Sequence, residues 1–98
     1  MEIVQKTVTL ETPIARGDGQ LTQIMVRKPT AGELRGTSLI NLLNMDVAAL
    51  ETVLPRITVP TLTKPEVAAL DPADLVQIAT EVSGFLLTKQ AKDSFLTA

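Results

Sequence analysis

Asp71 and Asp74 are the closest carboxylates at helical spacing in the chain, three residues apart and able to share one helix face. General acid–base chemistry needs two such groups together with a pocket and shifted proton affinities. The local sequence supplies a plainer role. Asp71-Pro72-Ala73-Asp74 opens a helix, where acidic side chains offset the positive end of the helix dipole. Other reactive types are missing: the 98 residues include no His and no Cys. That removes the Ser-His-Asp triad, the cysteine nucleophile and zinc held by His or Cys. Neither G-x-x-x-x-G-K-[ST] nor G-x-G-x-x-G occurs. Gly17 and Gly19 belong to a turn, and nothing like an EF-hand surrounds Asp18. No catalytic residue, cofactor or metal is expected, and enzymatic activity ranks last among the readings.

Arg16-Gly17-Asp18 spells a cell-adhesion tripeptide. Three-residue matches recur by chance, a turn accounts for this one, and the adhesion reading is rejected.

The elements that must position these residues follow from patterning. Residues 3–28 read as a β-hairpin: Thr7 to Leu10 and Leu21 to Val26 alternate and are rich in β-branched types. Asp18-Gly19 supplies the φ > 0 turn signal within a loop of open length between Ala15 and Gln20. Pro13, lacking an N–H, belongs at an edge or strand end. Lys28-Pro29 closes the second strand. Thr30-Ala31-Gly32-Glu33 then has capping-box spacing and predicts a helix carrying Leu34 and weakened at Gly36. Ser38 restarts it with Leu39, Leu42 and Leu43 on one face, and Asp46 is a good N-cap for Val47, Leu50 and Leu54. Pro55 is expected to end or kink that helix. Residues 55–65 hold three prolines and read as a connector, with a second capping box at Thr63 to Glu66.

The clearest helix comes last, from about Asp71 to Thr88. Asp71 caps it and Pro72 fits N1. Leu75, Ile78, Ala79, Val82, Phe85 and Leu86 form one apolar stripe. Most such stripes face a core. Phe85, Leu86 and Leu87 are three adjacent apolar residues that cannot all face one core. Leu75, Ile78, Val82, Phe85, Leu86 and Leu87 are therefore the candidate partner-binding residues. The weaker pattern from Lys89 to Ala98 reads as a mobile tail. The fold class is α+β: a single domain, 1–98, with an N-terminal hairpin and then three or four helices over 30–88.

Composition narrows the function. The apolar share of 45% is nearly all aliphatic, with two Phe and no Tyr or Trp. Aromatic anchors dominate tight interfaces, so broad, adaptable aliphatic contacts are expected. Nine basic residues face eleven acidic ones. The acidic excess lies after Gly36, which opposes a nucleic-acid surface. No apolar run approaches the ~20 residues that span a bilayer. The start, MEIVQKTVTL, has no apolar stretch behind a basic opening, so neither membrane nor secretion is expected.

Three segments in order resemble the tail assembly chaperone family of Mu-like, contractile-tailed bacteriophages. They are Thr7-Val8-Thr9-Leu10-Glu11-Thr12-Pro13-Ile14, then Met25 through Pro29-Thr30-Ala31-Gly32-Glu33 to Leu34. The third runs from Leu54-Pro55-Arg56-Ile57-Thr58 through Leu70-Asp71-Pro72-Ala73-Asp74-Leu75 to Gly84-Phe85-Leu86. The likeness covers roughly residues 7–88. It implies a non-catalytic protein of the host bacterial cytoplasm, absent from the mature virion. Such a protein binds the tape measure protein and keeps it soluble during tail morphogenesis. It also implies as partners a longer, frameshifted form of the same chain and the tail tube protein. Self-association suits so small a core. The rival readings are a small connector or baseplate component and, further off, a dimeric transcriptional regulator.

Overall fold

The computed structural model describes residues 4–87. Strand β1, Gln5–Arg16, turns back as β2, Gly19–Arg27. Arg16 stands opposite Gly19, so the turn is only Gly17-Asp18. Its positive φ falls at Gly17, +54°, not at Asp18-Gly19 as the sequence suggests. Glycine at the first central position is what a two-residue type II′ turn requires. Farther along, Thr9 faces Gln23 whereas Ile14 faces Leu21, so residues 10–13 of β1 oppose Thr22 alone. Pro13 lies in this bulge, where no ladder donor is called for.

The first capping box makes less helix than predicted. It opens a single 3₁₀ turn, Ala31–Leu34, and Gly36 then breaks the chain direction at φ +84°. Ser38 caps α1, Leu39–Leu43, by accepting from the Asn41 N–H at 3.2 Å. Asp46 caps α2, Val47–Ile57, through the Ala49 N–H at 3.0 Å.

Pro55 does not end α2. The helix continues to Ile57 and leads directly into β3, Thr58–Val59, which pairs antiparallel with Met25 and Val26 of β2. The expected connector over 55–65 is thus a helix end, a third strand and the start of α3. Two opposing magnitudes explain it. Proline in a helix interior costs about 3 kcal/mol, while burying one Leu or Ile contributes about 1.5–3 kcal/mol. Leu54 and Ile57 are both essentially without exposure. Burial on either side of Pro55 outweighs one missing helix bond. The helix end is then closed by side chains. The buried Thr58 hydroxyl donates to the Leu54 carbonyl at 2.7 Å and accepts from the Leu62 N–H at 3.0 Å. Arg27 Nη2 donates to the Arg56 carbonyl at 2.9 Å.

Helix α3, Lys64–Ala68, starts at the Thr63 capping box. Helix α4, Pro72–Phe85, follows after Asp71. The sheet has the order β1-β2-β3. Its inner residues Val8, Leu10, Ile24 and Val26 form one apolar cluster with Leu50, Val53, Leu54 and Ile57 of α2 and Ile78, Ala79 and Val82 of α4. This is the predicted α+β arrangement, with the hairpin extended to three strands.

Two capping-box glutamates also tie helix starts to strands. Arg16 grips Glu66 through both carboxylate oxygens, at 2.9 and 2.7 Å, and reaches the Thr61 carbonyl. Arg27 grips Glu33 in the same forked manner. Each glutamate also accepts from its own cap residue's N–H, Thr63 or Thr30. The guanidinium first, and the cap N–H second, hold both carboxyls down at about 2.

Candidate interaction surface

The carboxylate pair that opens α4 is occupied by structure. Asp71 caps the helix by accepting from the Ala73 N–H at 2.9 Å, and its other oxygen takes the Thr12 hydroxyl at 2.8 Å. Those two bonds hold its carboxyl below the usual carboxylate range. Asp74 is wholly buried. Its oxygens accept the backbone N–H groups of Glu11 and Thr12, at 2.8 and 3.0 Å, and Gln77 adds a third bond at 3.2 Å. The bulge of β1 turns two consecutive donors off the ladder, and a buried donor without a partner costs about 1–3 kcal/mol. Asp74 relieves both. The pair therefore fastens the hairpin to α4, and a proton-transfer role for it has no open carboxylate to use.

The six partner-binding candidates separate by depth. Ile78 and Val82 have no exposed surface and belong to the core. In this fold they offer nothing for a partner to touch. Leu75, Phe85 and Leu86 are half-buried and packed against the same cluster, and Leu87 is half-buried just past the helix. The stripe is read correctly as a helix face, but most of that face is already covered by this chain's own sheet and α1.

Exposed apolar surface concentrates elsewhere. Leu39, Ile40, Leu43, Met45 and Val47 are 54, 71, 39, 38 and 50% exposed, all within nine residues of sequence at the junction of α1 and α2. Of α1, only Leu42 is buried. A five-residue helix with apolar side chains at 39, 40, 42 and 43 carries them around most of its circumference and can bury just one side. The segment from Gly36 to Met45 has no charged residue, and its polar groups are Thr37, Ser38, Asn41 and Asn44. Exposed apolar side chains gathered in one place are the usual sign of a docking surface.

Met45 adds a separate sign. The α1 end is a Schellman motif: the Met45 N–H donates to the Leu42 carbonyl and the Asp46 N–H to the Asn41 carbonyl, at 3.0 and 2.9 Å. The residue at the centre of that motif is left-handed and usually glycine. Here it is Met45, at φ +60°. A side chain there costs about 1–2 kcal/mol, and with Met45 still 38% exposed burial offsets only part of that. The position places a flexible, polarizable thioether on the surface beside Ile40 and Leu43, a type suited to irregular apolar partners. The sequence signal for this surface was the uncharged ten-residue run itself. Its three leucines invite a core assignment instead.

Among the described residues no helix is long and apolar enough to cross a membrane. No solved structure matches the chain. Tail assembly protein E of Escherichia phage P2 is 49% identical over 82 residues, 84% of this chain and 90% of that protein. Tail assembly protein E′ of the same phage is 45% identical over 91 residues, 93% of this chain. This chain spans 64% of the length of E′, which is therefore the longer relative. The family model for phage tail assembly chaperone proteins, E, or 41 or 14, matches residues 7–87. These relatives come from phage P2 and the family description is not confined to Mu-like phages, so the assignment rests at the broader level. With nearly every described residue inside that match, the chain belongs to the phage tail assembly chaperone family.

Proposed function

We propose that this chain binds the tape measure protein of a contractile-tailed, Mu-like phage, without catalysis, and keeps it soluble until the tail tube forms around it. The observation that carries this reading is the group of five exposed apolar side chains, Leu39, Ile40, Leu43, Met45 and Val47, at the junction of α1 and α2. A long tail protein with apolar helical segments needs such cover before assembly. An adaptable aliphatic surface without aromatic anchors gives affinity that can later be reversed. The half-buried end of α4, Phe85, Leu86 and Leu87, contributes a second, smaller contact. The setting is the host cytoplasm, and the chain leaves before the virion is complete. A longer, frameshifted form of the same chain shares this surface. What supports that part is the match to both E and the longer E′ over most of this chain. The tail tube protein then displaces both forms.

The test is co-expression with the tape measure protein encoded beside this chain, followed by pull-down and a solubility assay. A soluble complex that Ile40→Asp abolishes, and Phe85→Asp weakens, is expected. An equally insoluble tape measure protein with no complex formed overturns the reading. So does finding this chain in purified virions, which favours a connector or baseplate component.

A further inference from the structure

Among the described residues the outer edge of β1 is an unpaired hydrogen-bonding row. β1 lies at one side of the sheet and, among the described residues, pairs only with β2. The ladder sets Val4 against Lys28, and the Lys28 N–H donates to the Val4 carbonyl at 2.7 Å. Bonded and non-bonded pairs alternate along an antiparallel ladder. Lys6 and Val8 therefore bond inward, to Val26 and Ile24. Gln5, Thr7 and Thr9 direct their N–H and C=O groups away from β2, giving three donors and three acceptors along the free edge. The next residue in that series is Glu11, whose N–H is already held by Asp74 at 2.8 Å. The row stops at Thr9.

Beside this row runs a groove of about 500 Å³, lined by Thr7, Val8 and Thr9 together with Val76, Thr80 and Glu81 of α4. Val76 is 57% exposed there. We infer that the β1 edge pairs with the β1 edge of a second copy of this chain, antiparallel about a two-fold axis at Thr7. The result is a continuous six-stranded sheet backed by two α4 helices. In this register Thr7 meets the second copy's Thr7 and Gln5 meets its Thr9. All three donors and three acceptors on each side are used and none is left over.

Charge favours a second copy over an unrelated extended segment. A lysine on a free edge ordinarily discourages pairing, and Lys6 is such a lysine. In the two-fold register Lys6 stands opposite the second copy's Val8, on the α4 side of the sheet. Val8 lines the groove that Glu81 also lines. Each Lys6 ammonium is thus delivered beside the other copy's Glu81, twice per dimer. The edge rejects strands that cannot answer the lysine and accepts its own copy. This interface uses neither Leu39 to Val47 nor the end of α4, and it stands whether or not the tape measure reading holds.

The experiment is sedimentation equilibrium of the full chain over a concentration series, with far-UV circular dichroism on each variant. A monomer–dimer equilibrium is expected for the unaltered chain. Lys6→Glu and Glu81→Lys should each raise the dissociation constant about tenfold or more, the scale set by two ion pairs turned repulsive. The double exchange should return it to near the starting value. Thr7→Pro removes an N–H that points away from β2, so it should give a folded monomer. If that variant misfolds, the charge exchange alone decides. A chain that stays monomeric throughout overturns the inference and leaves the edge to an extended partner segment. A dimer indifferent to both charge reversals overturns it as well.

Discussion

The two apolar faces of this chain, the stripe of α4 and the turn between α1 and α2, look equally hydrophobic in sequence and have opposite fates. The α4 stripe lies on a helix of 14 residues, long enough to lie across the sheet. Asp74 latches its first turn to the β1 bulge at residues 11 and 12. Ile78 and Val82 then have nowhere to go but the core. Helix α1 has five residues, one of them buried, and a chain reversal at Met45 that faces it outward. Apolar content alone does not decide burial. Helix length and a polar latch do, and what they leave exposed is the turn between α1 and α2.

The comparison can be broken most severely at the latch. Asp74→Ala removes the acceptor for two off-ladder backbone donors, and urea unfolding should show a loss of roughly 3 kcal/mol. An equally large loss from Asp71→Ala would mean that the exposed cap, not the buried latch, holds the hairpin. Next in size, Ile78→Ala should lose about 2–4 kcal/mol by opening a cavity in the core, whereas Ile40→Ala should stay within about 0.5 kcal/mol of the parent. Similar losses at both sites would erase the distinction between the two faces.

A smaller effect has the opposite sign. Met45→Gly relieves a left-handed side chain and should stabilise the fold by roughly 1 kcal/mol, while weakening capture of a partner. Greater stability with undiminished binding would show that Met45 is not part of the surface.

How much of this was legible beforehand follows the same division. Local signals were: the N-caps at Asp46, Thr63 and Asp71 act on N–H groups two or three residues away, and all three are found. The α+β class and the α4 stripe followed from periodicity. Contacts between distant residues were not legible. Asp74 reads as a helix-dipole residue because its partners lie 62 and 63 residues earlier. Strand β3 was hidden in a proline-rich stretch, since its two residues are strand only by lying beside Met25 and Val26. The exposed surface at Leu39 to Val47 was not singled out, because short apolar helices give no periodic sign of which side is covered. Residues 89–98, read as a mobile tail, and Thr88, read as the end of the last helix, lie outside the described residues.

The mildest test concerns acid. Glu33 and Glu66 have folded proton affinities of about 2, below the usual carboxylate value of 4.5. A carboxyl depressed in the folded state contributes stability that is fully present above its unfolded value and is lost as pH falls toward the folded one. Stability should therefore decline between roughly pH 5 and pH 2. Glu66→Gln should flatten that decline modestly, because both pairs are partly solvated. An unchanged acid profile would show that the forked arginine contacts add nothing.

We propose that the exposed apolar turn at α1 and α2 is the main surface for capturing the tape measure protein, and the end of α4 a lesser one. The most direct measurement is the dissociation constant for that protein, taken with the Ile40→Asp, Leu43→Asp double variant and with Val76→Asp, an exposed α4 residue outside the turn. The account predicts binding weakened a hundredfold or more, about 2.7 kcal/mol, for the double variant at unchanged stability, and near-parental binding for Val76→Asp. Full affinity in the double variant would contradict it.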